Sequence, residues 1–348
     1  MNKRKAAIII LSAAVFILAG CSSGKNDDKD IDTGPDKLQI GLSFDSFVIE
    51  RWQRDRDVFV STAEGLGAEV NVQNANGDVG EQISQIKYLI EKRMDVIVVI
   101  AVDSEACKDI IKRAKEAGII IVAYDRLVRN ANADLYISFD NEEVGTLMAE
   151  TLADNIPEGG NIVTIFGPTT DHNVTLAEQG FQGYMKDRSF HIIYSVYAKD
   201  WLAEEAYRAI NEAVKLGKTI DGVLCGNDNL ASQAVRALSE NRLAGKVVVT
   251  GQDADLAACQ RIVEGTQTMT VYKPVDKLAK AAAEYAVKLV KGENIKTTAT
   301  INDGSFEIPY IKLEPVAVTR DNMDEVIIEG GFQQKEEVYL NVPDRTKE

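Results

Sequence analysis

From Leu38 to Lys291 short apolar runs alternate with amphipathic segments, and this rhythm limits the fold more than any other feature. Leu38–Phe44 reads as a strand, Arg51–Leu66 as a helix stopped at Gly67, Glu69–Asn74 as a strand and Val79–Lys92 as a helix. Val96–Ile100 (VIVVI) is β-branched throughout, the pattern of a parallel strand covered on both faces. Cys107–Ala117 reads as a helix ended by Gly118, and Ile119–Tyr124 as the next strand. Further strands are expected at Leu135–Ser138, Asn161–Phe166, Ile192–Tyr197, Gly222–Cys225, Val247–Gly251 and Thr268–Val271. Each is followed by a helical pattern: Asn141–Asn155, Val174–Met185, Leu202–Leu216, Asn229–Glu240, Leu256–Glu264 and Val275–Lys291. Ile311–Val318 is a last strand candidate. Repeated strand–helix units make parallel sheets with helices on both faces. So many strands overfill one open sheet. The expected fold is therefore α/β with two lobes, each a parallel sheet with helices on both faces.

The N-terminus adds a location. Lys3, Arg4 and Lys5 precede the apolar run Ala6–Phe16, and Leu18-Ala19-Gly20-Cys21 closes the segment. That is the form of a bacterial lipoprotein export signal, with residues 1–20 removed and Cys21 lipidated. The run is short for a membrane span, which needs about 20 apolar residues. Residues 22–37 (SSGKNDDKDIDTGPDK) are polar and acidic and bury too little to fold. Residues 21–37 are expected to be a leash between lipid and domain. Work outside the cytoplasmic membrane excludes most ATP-driven and nicotinamide-dependent chemistry. The net charge of −15 argues against nucleic acid or an anionic lipid surface as partners. Cys107, Cys225 and Cys259 are far apart and, with two histidines in 348 residues, suggest buried hydrophobes rather than a metal site. No metal and no cofactor are expected.

In open parallel sheets ligands bind beyond the carboxyl ends of the strands. The residues following each expected strand are polar and aromatic: Phe47, Glu50, Arg51 and Trp52; Asp103 and Ser104; Asp125 and Arg126; Asp140 and Asn141. Next come Asp171, His172 and Asn173; Trp201; Asn227, Asp228 and Asn229; Asp253 and Asp255; and Lys273. Carboxylates accept from hydroxyls, Arg and Lys donate to them, and Asn does both. An indole packs on the C–H face of a sugar ring. This rim suits a neutral polyol. Asn141, Asp228 and Asp255 equally suit plain helix caps, and Trp52 and Trp201 could be core.

Catalytic signatures are missing. There is no GxxxxGK[ST] loop, no GxGxxG after a strand and no G-x-S-x-G elbow. Neither His172 nor His191 has an evident nucleophile beside it, and no carboxylate pair stands out by spacing.

ERWQRDRD (Glu50–Asp57), AYDR (Ala123–Arg126), YISFDNEEVG (Tyr136–Gly145), GQDADL (Gly251–Leu256) and GTQTMTVYKP (Gly265–Pro274) occur in that order across both expected lobes. On these segments the chain resembles the type I periplasmic sugar-binding proteins of ABC importers, most closely the D-xylose-binding subgroup. The resemblance implies two lobes joined by three hinge crossings, near Ser138–Asn141, Tyr272–Pro274 and Thr300–Gly304. It implies an N-terminal lobe of residues 38–140 and 274–300, a C-terminal lobe of 141–273 and 301–330, and a tail of 331–348. Arg51, Trp52, Asp125 and Arg126 would bind sugar from the first lobe, with Asn173, Trp201, Asn227 and Asp253 from the second and Lys273 near a hinge. The implied partners are a monosaccharide, with D-xylose foremost, and the membrane permease of an ABC importer. The alternative partner is a membrane sensor kinase or chemoreceptor. No enzymatic activity is expected.

Overall fold

The computed structural model describes residues 37–297 and 299–342. The expected export signal, Cys21 and all of the leash except Lys37 lie outside the described residues, as do 343–348 of the expected tail.

The chain begins with β1 (Leu38–Phe44), α1 (Arg51–Gly65), β2 (Ala68–Asn74), α2 (Val79–Glu91), β3 (Val96–Val99), α3 (Lys108–Glu116), β4 (Ile120–Tyr124) and β5 (Leu135–Phe139). It continues with α4 (Asn141–Asn155), β6 (Asn161–Phe166), α5 (His172–Met185), β7 (His191–Tyr197), α6 (Glu204–Lys215), β8 (Gly222–Cys225) and α7 (Asp228–Glu240). Then follow β9 (Val248–Gln252), α8 (Leu256–Glu264), β10 (Met269–Tyr272), α9 (Val275–Val290), β11 (Ala299–Asn302), β12 (Glu307–Leu313), β13 (Val316–Val318) and α10 (Lys335–Val338). Two sheets result, ordered β11-β12-β5-β4-β3-β1-β2 and β13-β10-β9-β8-β6-β7. Their pairings are parallel except β11 on β12 and β13 on β10. The two-lobed α/β architecture read from the alternation is the one observed.

The β3 run shows why the pattern works. Successive side chains of a strand point to opposite faces. Val96 and Val98 join the apolar cluster beneath α1, whereas Ile97 and Val99 join the cluster that includes Ile86, Leu89, Ile110 and Ile111 of α2 and α3. All four β3 residues are fully buried, so a continuous apolar strand is what a doubly covered position needs.

The chain crosses between lobes three times. It leaves β5 at Asp140 and enters α4, which packs on β8, β9 and β10. It returns at Lys273–Pro274 from β10 into α9, which packs on α1, β1, β3, β4 and β5. The third crossing corrects the sequence reading. It falls at Glu314–Pro315, between β12 and β13, not at 300–304. Residues 301–313, expected in the second lobe, form a hairpin with 299–300 and join the first sheet through β12 on β5. The single strand expected at Ile311–Val318 is split there, because Pro315 has no N–H for a ladder. Within the expected tail, the described residues 331–342 pack on the domain. Phe332, Val338 and Tyr339 are buried, and α10 packs on α8.

Helices α4 and α5 touch backbone to backbone. A Cβ on Gly145 would lie 1.8 Å from the Ala177 carbonyl oxygen, and one on Gly180 would lie 1.9 Å from that of Glu142. Neither oxygen is a flexible side-chain end, so the helices would have to part. Gly145→Ala should therefore cost about 1–3 kcal/mol, the usual cost of overpacking, in spite of alanine's better helix propensity. Urea unfolding measures this; an unchanged midpoint would show that α4 and α5 can separate freely.

Candidate ligand-binding site

All nine residues that the family resemblance implied line one cavity between the lobes. Of the other strand-end residues Asn141 and Asp171 also line it, whereas Phe47, Glu50, Asp103, Ser104, Asp140, His172, Asp228, Asn229 and Asp255 do not. Arg51 and Trp52 open α1, and Asp125 and Arg126 follow β4. Asn173 lies in the first turn of α5, and Trp201 ends the short helical turn Lys199–Trp201 before α6. Asn227 caps α7, its Oδ1 accepting from the Leu230 amide at 2.9 Å. Asp253 follows β9 and Lys273 follows β10. The carboxyl ends of both sheets therefore face each other across the cavity, as the strand-end rule requires.

Arg51 is the electrostatic centre. Its Nη2 lies 2.8 Å from Asp125 Oδ2 and 3.2 Å from Asp55 Oδ1, and its Nη1 lies 3.9 Å from Asp253 Oδ1. The Tyr124 hydroxyl also donates to Asp55. Burial alone would lower the Arg51 pKa, but Asp125, Asp55 and Asp253 outweigh it and hold the guanidinium charged. Burial alone would raise Asp125; Arg51, Lys273 and Arg126 outweigh it and keep its carboxyl below the usual range. Lys273 Nζ completes the chain 2.7 Å from Asp253 Oδ1.

Arg126 is anchored from both lobes. Its Nη1 donates to Asp45 Oδ2 at 2.6 Å and to the Ala101 carbonyl at 3.1 Å, while its Nε pairs with Asp171 Oδ2 at 2.8 Å. Asn173 Nδ2 donates to both the carbonyl and Oδ1 of Asp125, each at 3.1 Å. The Ser104 amide donates to the Thr170 carbonyl at 3.0 Å. The lobes are thus closed on one another.

Trp52 is buried beside two guanidinium groups. Arg51 Cζ lies 4.3 Å and Arg126 Cζ 5.7 Å from its ring centroid. Trp201 packs so tightly on Gly167 that a Cβ there would come within 2.3 Å of the indole. Asp125, Trp201 and Asp253 all have left-handed backbones, with φ of 59°, 58° and 100°. Such conformations are costly for residues other than glycine and gather where function demands a particular side-chain aim.

Charge and valence decide what the cavity can hold. Its lining includes three cations (Arg51, Arg126 and Lys273) and three carboxylates (Asp125, Asp171 and Asp253). Each already has an opposite partner, so an ionic guest would have to break a buried pair. Buried polar groups normally have hydrogen-bond partners. Yet Trp52 Nε1, Trp201 Nε1 and Gln252 Oε1 have none among the described residues. Ile49, Met148, Phe166 and Val174 supply apolar wall. Two donors, an acceptor and an apolar face fit an uncharged molecule that both donates and accepts. Among the described residues, no group of three His, Cys, Asp or Glu side chains could hold a metal.

The strand-end rule missed some residues and misplaced others. Gln252 escapes the rule because it belongs to β9 itself; its place just before Asp253 is the available signal. Asp171 and Asp45, the partners of Arg126, could not be paired with it from sequence. The helix caps sit one residue before Asn141 and Asp228, at Asp140 and Asn227. Asp255 does cap α8 by position but makes no side-chain cap bond.

A family model described as "Periplasmic binding protein domain" matches residues 40–294. The chain belongs to this family. It is 42% identical to the D-xylose-binding periplasmic protein of Haemophilus influenzae, over 97% of this chain and 99% of the relative. It is 41% identical to the Escherichia coli (strain K12) protein of the same description, over 87% and 93%. A carbohydrate transporter solute-binding protein from Chloroflexus aurantiacus, solved with D-glucose, superposes with a TM-score of 0.79 at 25% identity, covering 86% of this chain and 98% of that one. These relatives are binding proteins, not enzymes, and so is this chain.

Proposed function

We propose that the chain is a lipid-anchored extracytoplasmic receptor that closes on a monosaccharide, D-xylose foremost, and delivers it to an ABC permease. The observation that carries this reading is the charge-balanced cavity with unpartnered polar atoms on both tryptophans and Gln252. The two D-xylose-binding relatives supply the sugar. Arg51, Trp52, Asp125, Arg126, Asn173, Trp201, Asn227, Asp253 and Lys273 are the proposed contacts, and Cys21 the lipid site. Closure is driven by contacts that exist only when both lobes reach the guest. A hydroxyl that is missing or misplaced leaves a buried group unpaired, and this is the source of selectivity.

Isothermal calorimetry tests the reading. Xylose should bind, and a uronic acid should not, because its carboxylate has no free cation to meet. Asp253→Ala should weaken xylose by about 1.5–3 kcal/mol, the value of a hydrogen bond to a charged group. Absence of heat with every neutral pentose and hexose would overturn the assignment. Retention of a Cys21→Ser variant in the membrane fraction would remove the lipid anchor. Uptake measured in a deletion strain separates delivery to a permease from signalling to a sensor kinase.

A further inference from the structure

Asp228 is fully buried, yet it is not among the residues lining the cavity. Its carboxylate serves the turn that carries Asp253. Oδ2 accepts from the Asp255 amide at 3.2 Å and from the Thr270 hydroxyl at 2.7 Å. The Thr270 hydroxyl oxygen in turn accepts from the Ala254 amide at 3.1 Å. The two amides that follow Asp253 therefore end on one carboxylate, one directly and one through a hydroxyl. Oδ1 accepts from Gln267 Nε2 at 2.8 Å. The close approach depends on Gly251, where a Cβ would lie 2.3 Å from Asp228 Oδ1.

The turn needs this support. Asp253 and Ala254 are consecutive non-glycine residues with φ of 100° and 55°. Conformations of this kind persist only when their surroundings hold them. The Asp253 amide bonds back to the Val271 carbonyl at 2.8 Å, which fixes one side of the turn. Asp228 fixes the other. It also follows Asn227 directly, so one residue joins two cavity-lining turns. Burial pushes its carboxyl up to about 7, and the Thr270 hydroxyl, Arg261 and Gln267 limit the rise.

We propose that Asp228, relayed by Thr270, is a positioning residue: it holds the Asp253 backbone in the left-handed conformation that aims the Asp253 carboxylate into the sugar cavity. This rests on the sugar-site reading above. A merely structural Asp228 would lower stability and leave affinity alone.

Calorimetry with D-xylose and urea unfolding, run on each variant, separate the two. Thr270→Val removes the relay in a buried strand where valine fits the backbone. It should weaken xylose about tenfold, and Thr270→Ser should restore binding to within about twofold. Asp228→Asn should match Thr270→Val. In an Asp253→Asn background Thr270→Val should cost less than about twofold more, because the residue it acts through has already lost its charge. A Thr270→Val protein that unfolds earlier but binds within twofold of wild type overturns the proposal, and so does a double variant whose losses multiply. A wild-type protein with no xylose heat overturns the sugar assignment itself, and the proposal falls with it.

Discussion

Arg51→Met is expected to cost about 3–5 kcal/mol of folding stability, the range for removing one partner of a buried ion pair, and to lower sugar affinity more than a hundredfold. The side chain is almost fully buried and faces Asp55, Asp125 and Asp253. Methionine fills much of the volume but leaves these carboxylates without their shared cation. Asp125 then loses the chief interaction that opposes its desolvation. Its carboxyl would rise towards protonation and accept sugar hydroxyls less well. Arg51→Lys should recover little, since one ammonium cannot replace a guanidinium fork that reaches several carboxylates at once. Urea unfolding and xylose calorimetry check both effects. A variant within 1 kcal/mol of wild type would mean that Asp55 and Asp125 are neutralised by other groups, and the electrostatic account of the site would need replacing.

Trp52→Ala should be the next largest loss. Deleting a buried aromatic costs about 3–5 kcal/mol of stability, and Trp52 is 1% exposed, packed edge-on against Phe44 at 6.2 Å. Affinity should fall by at least about thirtyfold, equivalent to the roughly 2 kcal/mol that marks a binding hot spot. Trp52→Phe separates the two roles. It keeps an aromatic face beside Arg51 but lacks the indole N–H. Near-native stability with weakened xylose binding is the expected result. If Trp52→Phe binds xylose as tightly as wild type, the unpartnered indole nitrogen has no part in recognition.

The fold was legible because it is written in local patterns. β-branched runs such as Val96–Ile100 and the glycines that stop α1 and α3 each act over a few residues, and a strand's position follows from its own composition. Candidate site residues were legible by one further rule, that parallel sheets offer their carboxyl ends to ligands. That rule brought Arg51, Asp125, Asn173, Trp201 and Asp253 into one rim of twenty strand-end residues although 202 positions separate the first from the last, and the family resemblance narrowed that rim to nine. The helix Asn141–Asn155 was read with the bounds it has, because Asp140 caps one end and no break interrupts it.

Other features depend on which surfaces meet. Residues 299–310 carry no strong pattern of their own, and the place of 299–313 in the first sheet comes from pairing β12 with β5 across a long sequence separation. The partners of Arg126 come from three stretches of chain, Asp45, Ala101 and Asp171. A cap-like Asp228 turned out to brace another turn because Gly251 leaves room for its carboxylate. Periodicity and turn chemistry specify strands, helices and their ends, for they report how a residue treats its chain neighbours and the water around it. Which carboxylate meets which guanidinium, and where the backbone recrosses, follows from closing two lobes on each other. No local pattern records that step, because the energies involved belong to pairs that only folding brings within reach.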